Sequence, residues 1–375
     1  MTARIDRFLS EHKYDSPCLV VDLERITENY QRLKKALPLA EIHYAVKANP
    51  ASQILDTLAG LGSNFDAAGV NEIRQCLATG AGAERIAYGN TIKKQTDIAK
   101  AYELGVRLFA FDSELELKKL AESAPGSRVF CRILLEETGA KWPLSRKFGC
   151  SVDMARDLMA RAGELGLDPY GISFHVGSQQ TDPKQWEIAI GRVAMLFTAL
   201  DEAGVELGMV NLGGGFPVPY GGEVPEIGSI AGAIMTAMTR HFGNRLPRMI
   251  IEPGRYIAAD AGILRSEVVL VSTKTYESQR RWVYLDVGKF GGLAETMNEA
   301  IQYELRPSRG GEVGTVVVAG PTCDGADILY EQTAYHLPLD LQPGDFVDVL
   351  DAGAYTSTYA SIGFNGFAPL KEYYI

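Results

Sequence analysis

Six short stretches carry residue types that could do chemistry. In "HYAVKANP", residues 43–50, Lys47 stands at the carboxyl end of an alternating apolar strand. It reads either as an ion-paired or surface lysine, since charged side chains are seldom buried unpaired, or as a nucleophile. An amine desolvated in a pocket loses proton affinity and condenses with an aldehyde. In "IEPGRY", residues 251–256, Glu252 precedes Arg255 by three positions. The two form a local salt bridge, or they divide labour: the carboxylate holds a proton on a ring nitrogen and the guanidinium grips a phosphate. "NLGGGFP", residues 211–217, offers Gly213, Gly214 and Gly215. Without Cβ atoms their N–H groups can crowd round an anion, although a plain tight turn uses the same residues. The Walker spacing and its lysine are absent, which excludes a P-loop. In "FHVGSQ", residues 174–179, His175 is structural or stacks on a flat aromatic ring, and Ser178 could donate to a phosphate. "GPTCDGAD", residues 320–327, sets Cys323 beside Asp324. That is a turn, or a thiol acid next to a carboxylate that binds a cation. In "DAGAYTSTYASIGFNGF", residues 351–367, Tyr355 and Phe364 offer a phosphate contact and an apolar wall, or packing alone.

These residues need elements to present them. From about residue 25 to 250, strand-like and helix-like segments alternate about eight times, which predicts a (β/α)8, TIM-like barrel rather than an open sheet. Lys47, Asp66, Asn90, Asp112, Arg132, His175, Gly213–Gly215 and Glu252–Arg255 then fall at strand ends, the rim that carries the chemistry of barrel enzymes. Beyond about residue 265, β-branched and aromatic runs joined by turns predict an antiparallel β domain. "SPCLVVDL", residues 16–23, is a strand that could join it. The expected domains are 25–262 for the barrel, and 1–24 with 263–375 for the β domain.

The chain has 375 residues and a net charge of -10. That argues against nucleic acid or an anionic membrane as partner, and an acidic field favours a cationic ligand. The start lacks a signal-peptide core, and no apolar run is long enough to span a bilayer. The five cysteines are scattered and odd in number, as in a reduced cytoplasmic protein. No His/Cys metal site is expected.

Taken in order, "YAVKANP", "FHVGSQ", "GGGFP", "EPGRY", "GPTCDG" and "FNGF" resemble the ornithine/lysine branch of the alanine-racemase-like (fold type III) pyridoxal-phosphate decarboxylases. The likeness runs from Pro17 to Phe367. Diaminopimelate decarboxylases typically carry a Cys-Glu-Ser loop where this chain has Cys323-Asp324-Gly325, and alanine racemases need a tyrosine base that the β-domain motifs do not match.

The resemblance implies a barrel followed by a β-sandwich or barrel that takes in the N-terminal strand. It implies pyridoxal 5'-phosphate held covalently by Lys47, stacked on by His175 and met at its ring nitrogen by Glu252. Asp66, Glu72, Arg132, Ser178, Gly213, Gly214, Gly215, Gly254, Arg255 and Tyr355 match further cofactor positions. Cys323 matches a proton donor, and Asp324, Phe364 and Tyr355 match substrate contacts. An alignment through glycines puts Glu299 at a second acid for the substrate's distal amine, with Glu295 as the weaker candidate. Lys147 and Asp327 match a pair that bridges subunits. The implied reaction is decarboxylation of a basic amino acid in a homodimer with shared active sites, ornithine to putrescine for polyamine synthesis ahead of lysine to cadaverine. A non-catalytic regulatory homologue is the alternative of another class, but such relatives tend to lose the lysine or the cysteine.

Overall fold

The structure, a computed structural model, describes residues 3–135, 140–142, 147–278 and 280–375. The chain forms two compact units. One comprises Thr27–Pro217 and Val224–Gly254; the other comprises Met1–Ile26, Val218–Glu223 and Arg255–Ile375.

The first unit is a closed barrel of eight parallel strands: Ala40–Ala45, Asn64–Ala67, Ile86–Tyr88, Leu108–Phe111, Arg128–Arg132, Asp168–Ser173, Met209–Asn211 and Arg248–Ile251. Each pairs with the next in the chain, and the last closes on the first with Ile251 opposite Ile42. Among the described residues a helix lies in each of the seven intervals between them, the crossover that parallel pairing requires. Such strands are covered on both faces, so Leu108, Phe109, Ala110 and Phe111 are all buried.

Ala87, Leu108, Ala110, Phe130, Met209 and Ile250, from five strands, pack together as the barrel interior. Each fully buried Leu, Ile, Phe or Met contributes about 1.5–3 kcal/mol. Strand side chains alternate. Two residues beyond this layer, Arg132, Asn211 and Glu252 therefore point inward as well. Asp66 is in register with Ala87 and shares its face. An apolar barrel is thus topped by a polar floor.

Lys47 differs from expectation in one respect. The strand ends at Ala45, and Lys47 lies in a single 3-10 turn, Val46–Ala48. The cause is local: Tyr44 Oη donates to Asn49 O at 2.9 Å and folds the segment back.

The second unit is a curled, mostly antiparallel eight-stranded sheet. "SPCLVVDL" supplies Cys18–Val21, antiparallel to Gly262–Arg265. Two pairings are parallel: Arg281–Leu285 with Val313–Ala319, and Cys18–Val21 with Lys371–Tyr374. Parallel partners need a long connection. Residues 286–312 provide one, and the whole intervening chain provides the other. An N-terminal helix, Ala3–Glu11, buries Ile5 and Leu9 against Cys18, Val20, Ile263 and Leu350. Among the described residues no helix is long and apolar enough to cross a membrane. Nor is there a cluster of three or more His, Cys, Asp or Glu able to hold a metal ion.

Candidate active site

Lys47 meets a carboxylate at the barrel rim. Its Nζ lies 3.3 Å from Asp66 Oδ2. Asp66 is buried, and its Oδ1 has no hydrogen-bond partner. A buried polar atom left unpaired costs free energy, so this carboxylate has capacity for a further donor. Gly89 makes the space for it, since a Cβ there would sit 1.9 Å from Asp66 Oδ1. The Lys47 side chain is 49% exposed. The nucleophile reading therefore rests on an open approach and an acidic neighbour, not on a desolvated amine.

Glu252 follows its strand by one residue. Asn211 Nδ2 donates to Glu252 Oε1 at 2.5 Å. Burial, joined by the nearby negative charge of Asp66, pushes the Glu252 carboxyl up to about 7, against the pull of Lys47, Asn211 and Arg132. Glu72 opens the helix Val70–Ala78 and accepts from Ala68 N–H at 2.6 Å. Burial, with Asp66 adding repulsion, raises its carboxyl too.

His175 is held neutral. Burial, then the positive charges of Arg132 and Lys47, drive it well below the usual imidazole range. Its Nδ1 accepts from Gly177 N–H at 2.9 Å, which leaves the ring proton on Nε2. Arg132 itself lies with its guanidinium 5.1 Å from the Phe148 ring centroid.

The glycine turn is pressed against this group. Gly213 and Gly215 have φ of +65° and +91°. A Cβ would come within 2.4 Å of Phe174 O at Gly213, 2.6 Å of Glu252 O at Gly214 and 2.4 Å of Gly177 O at Gly215. Side chains are therefore excluded along a turn between the His175 segment and Glu252. Ser178 starts the short strand Ser178–Gln180 directly after that segment. Gly254 lets the Lys47 turn approach, because a Cβ there would be 2.8 Å from Ala48 Cβ.

The second unit holds another cluster. Arg255 is buried and bidentate to Glu295, at 2.6 and 2.5 Å, and donates to Tyr220 Oη at 2.7 Å. Its guanidinium lies 4.7 Å from the ring centroid of Tyr355, a residue in the left-handed region with φ +57°. Such strain in a non-glycine residue is held in place by its surroundings. Cys323 and Asp324 are exposed. Cys323 N–H donates to Asn365 Oδ1 at 3.0 Å, and Asp324 Oδ1 accepts from Ala326 N–H at 2.8 Å. Phe364 packs against Phe290 with centroids 4.8 Å apart.

Two acids are placed otherwise than the resemblance implies, and a third makes bonds within its own unit. Glu299 accepts from the N–H groups of Glu331, Gln332 and Thr333 at 2.8, 2.8 and 2.7 Å. Against a burial that would raise it, a bond from the Thr333 side chain together with those N–H groups holds its carboxyl down to about 2. It clamps a strand instead of reaching outward. Glu295, the weaker candidate, is locked to Arg255. Asp327 is buried and accepts from Lys289 N–H at 2.8 Å and from Thr322 Oγ1 at 2.7 Å. Its carboxylate is committed within its own chain, whereas Lys147 is exposed in the barrel unit.

Sequence reasoning missed Asn211, Gly89 and the Glu295–Tyr220 cradle of Arg255. Asn211 had a signal, as the strand-end residue two positions before the first glycine; the other two are set by tertiary packing.

The profile described as "Pyridoxal-dependent decarboxylase, pyridoxal binding domain" matches residues 23–259. The chain belongs to that family. Lysine/ornithine decarboxylase of Selenomonas ruminantium is 36% identical over 94% of this chain and 88% of its own. Mouse ornithine decarboxylase is 34% identical over 95% and 80%. The Selenomonas lysine decarboxylase in complex with PLP and cadaverine superposes with a TM-score of 0.89 at 34% identity, covering 99% of this chain and 93% of that one. As a pyridoxal-dependent decarboxylase, this chain uses pyridoxal phosphate. The residues present fit that cofactor: an accessible lysine, a buried carboxylate oxygen without a partner, a neutral imidazole and a turn from which side chains are excluded.

Proposed function

We propose that this protein is a carboxy-lyase that removes the α-carboxylate of a basic amino acid, L-ornithine ahead of L-lysine. The observation that carries the reading is the rim constellation of Lys47, Asp66, His175 and Glu252 in a chain of the decarboxylase family. When bound, the cofactor supplies an electron sink conjugated to the substrate's α-carbon.

The roles of the chain follow. Lys47 would hold the cofactor through its aldehyde group, and Asp66 would keep the Lys47 side chain in place. His175, being neutral, can lie against the ring without adding a second positive charge. Glu252, as a carboxylate, holds a proton on the ring nitrogen. Ser178, Gly214 and Gly215 would donate to the phosphate, with Gly213 shaping the turn through its bond to Asn211, and Arg255, held flat by Glu295 and Tyr220, is the guanidinium assigned to it. Cys323 would be the acid that returns a proton to the α-carbon.

Asp324 pairs with the distal ammonium, a charge-assisted bond of roughly 1.5–3 kcal/mol. Glu299 and Glu295 are engaged elsewhere, so Asp324 is left as the acid of this set that defines a cationic substrate. Ornithine and lysine differ by one methylene, worth about 1–3 kcal/mol in a pocket. The relative named for both substrates favours dual specificity as the second reading.

A homodimer with shared sites is part of the proposal. It is supported by Cys323 lying exposed near an apolar segment in which Ile362 is 82% exposed. The deciding experiment gives the enzyme equal ornithine and lysine, with the visible spectrum recorded alongside. Putrescine should dominate, and Lys47→Ala should abolish the cofactor band. Excess cadaverine overturns the substrate order, and a wild type that cannot be loaded with pyridoxal phosphate overturns the whole reading.

A further inference from the structure

We propose that Asn211 is a positioning residue: its carboxamide fixes the Glu252 carboxylate and ties it to the glycine turn. The inference rests on the cofactor reading above. Asn211 is 1% exposed and makes three connections at one strand end. Its Oδ1 accepts from Gly213 N–H at 2.9 Å, its Nδ2 donates to Glu252 Oε1 at 2.5 Å, and its backbone carbonyl accepts from Phe174 N–H at 3.1 Å.

The Gly213 bond decides which way the amide faces. A backbone N–H must meet an acceptor, so Oδ1 is turned to Gly213 and only the NH2 group is left for Glu252. That donor acts on an acid surrounded by opposing influences. Burial and Asp66 favour the protonated form of Glu252, whereas the Asn211 bond favours the carboxylate. Asn211 therefore does two things that no other residue in contact with Glu252 combines among the described residues. It keeps the carboxylate charged, and it fixes that charge relative to the Gly213–Gly215 turn. An aspartate at this position would keep the Gly213 bond and the shape. It would also place a second acid against Glu252, and the two would have to share a proton.

The test uses the holoenzyme and reads cofactor retention, not turnover. Wild type, Asn211→Asp and Asn211→Ala are loaded with pyridoxal phosphate and gel-filtered across about pH 5 to about pH 9, and the visible band is measured. The pH at which retention sets in should move upward by about one unit or more in Asn211→Asp, a factor of ten in proton affinity. It should also move upward in Asn211→Ala, with roughly tenfold faster cofactor loss near neutrality. Thermal unfolding identifies a variant that does not fold, in which case the other variant decides. If the wild type holds the band and the folded variants show the same onset, the role of Asn211 is refuted while the cofactor reading stands. If the wild type itself shows no band and no borohydride-trapped adduct on Lys47, both fall.

Discussion

Replacing Glu252 with glutamine should change how the cofactor-free protein's stability depends on pH. Burial raises this carboxyl from an ordinary 4.5 to about 7. In the folded chain it therefore binds a proton between those values that the unfolded chain has already released. The sign follows: wild-type stability falls as pH rises from 4.5 through 7, then levels off once Glu252 is ionised in both states. The shift spans about 2.5 units at 1.36 kcal/mol each, roughly 3 kcal/mol in all. Working between about pH 5.5 and pH 8 captures about 2 kcal/mol of it. Glu252→Gln keeps the shape and removes the titration. The variant should therefore gain on wild type by that amount across the window. With a slope of about 3 kcal/mol/M, the urea midpoints should diverge by roughly 0.5–1 M. Parallel midpoints at every pH would refute the claim that Glu252 is held near neutrality. Convergence as pH rises would mean that its pairing with Lys47 outweighs its burial.

Three further outcomes are expected. Gly89→Ala should push the Asp66 carboxylate from its place, costing about 1–3 kcal/mol of stability and weakening cofactor retention; unchanged retention would remove Asp66 from the site. Lys93 is fully buried, donates to Asn90 O and Ala110 O at 2.8 and 2.5 Å, and lies 3.1 Å from buried Glu116. Lys93→Met should therefore cost about 3 kcal/mol in urea unfolding, the low end for a broken buried pair because Lys119 remains beside Glu116; an unshifted midpoint would contradict this. Mixing inactive Lys47→Ala with inactive Cys323→Ala should restore part of the activity, and no recovery after verified subunit exchange would count against shared sites.

The barrel was legible because parallel strands covered on both faces write themselves as short apolar runs between helices, as Leu108–Phe111 does. The residues at the strand ends followed from the same rhythm. What was not legible depends on contacts far apart in the chain. Nothing near Glu299 announces that a strand some 30 residues on will offer it three N–H groups. Lys93 reads as one more surface lysine in "IKKQ" until Glu116 and the Ala110 carbonyl close over it. The N-terminal helix was missed because its apolar face is short, with Ile5, Phe8 and Leu9 in nine residues.

Asp327 has a consequence for how this enzyme could change. Gly288 and Gly320 leave room for its carboxylate, where a Cβ would come within 2.1 and 2.4 Å of it, and its bonds to Lys289 and Thr322 hold the segment that bears Cys323 and Asp324. The shape of that segment is thus set from beneath, by a buried residue. Asp324 is exposed; its side chain accepts from Ala326 N–H, and its backbone carbonyl accepts from Asp327 N–H. Under the role proposed for Asp324, exchanging its side chain would change the cation that is welcomed, while the bonds made by Asp327 keep the frame that presents it.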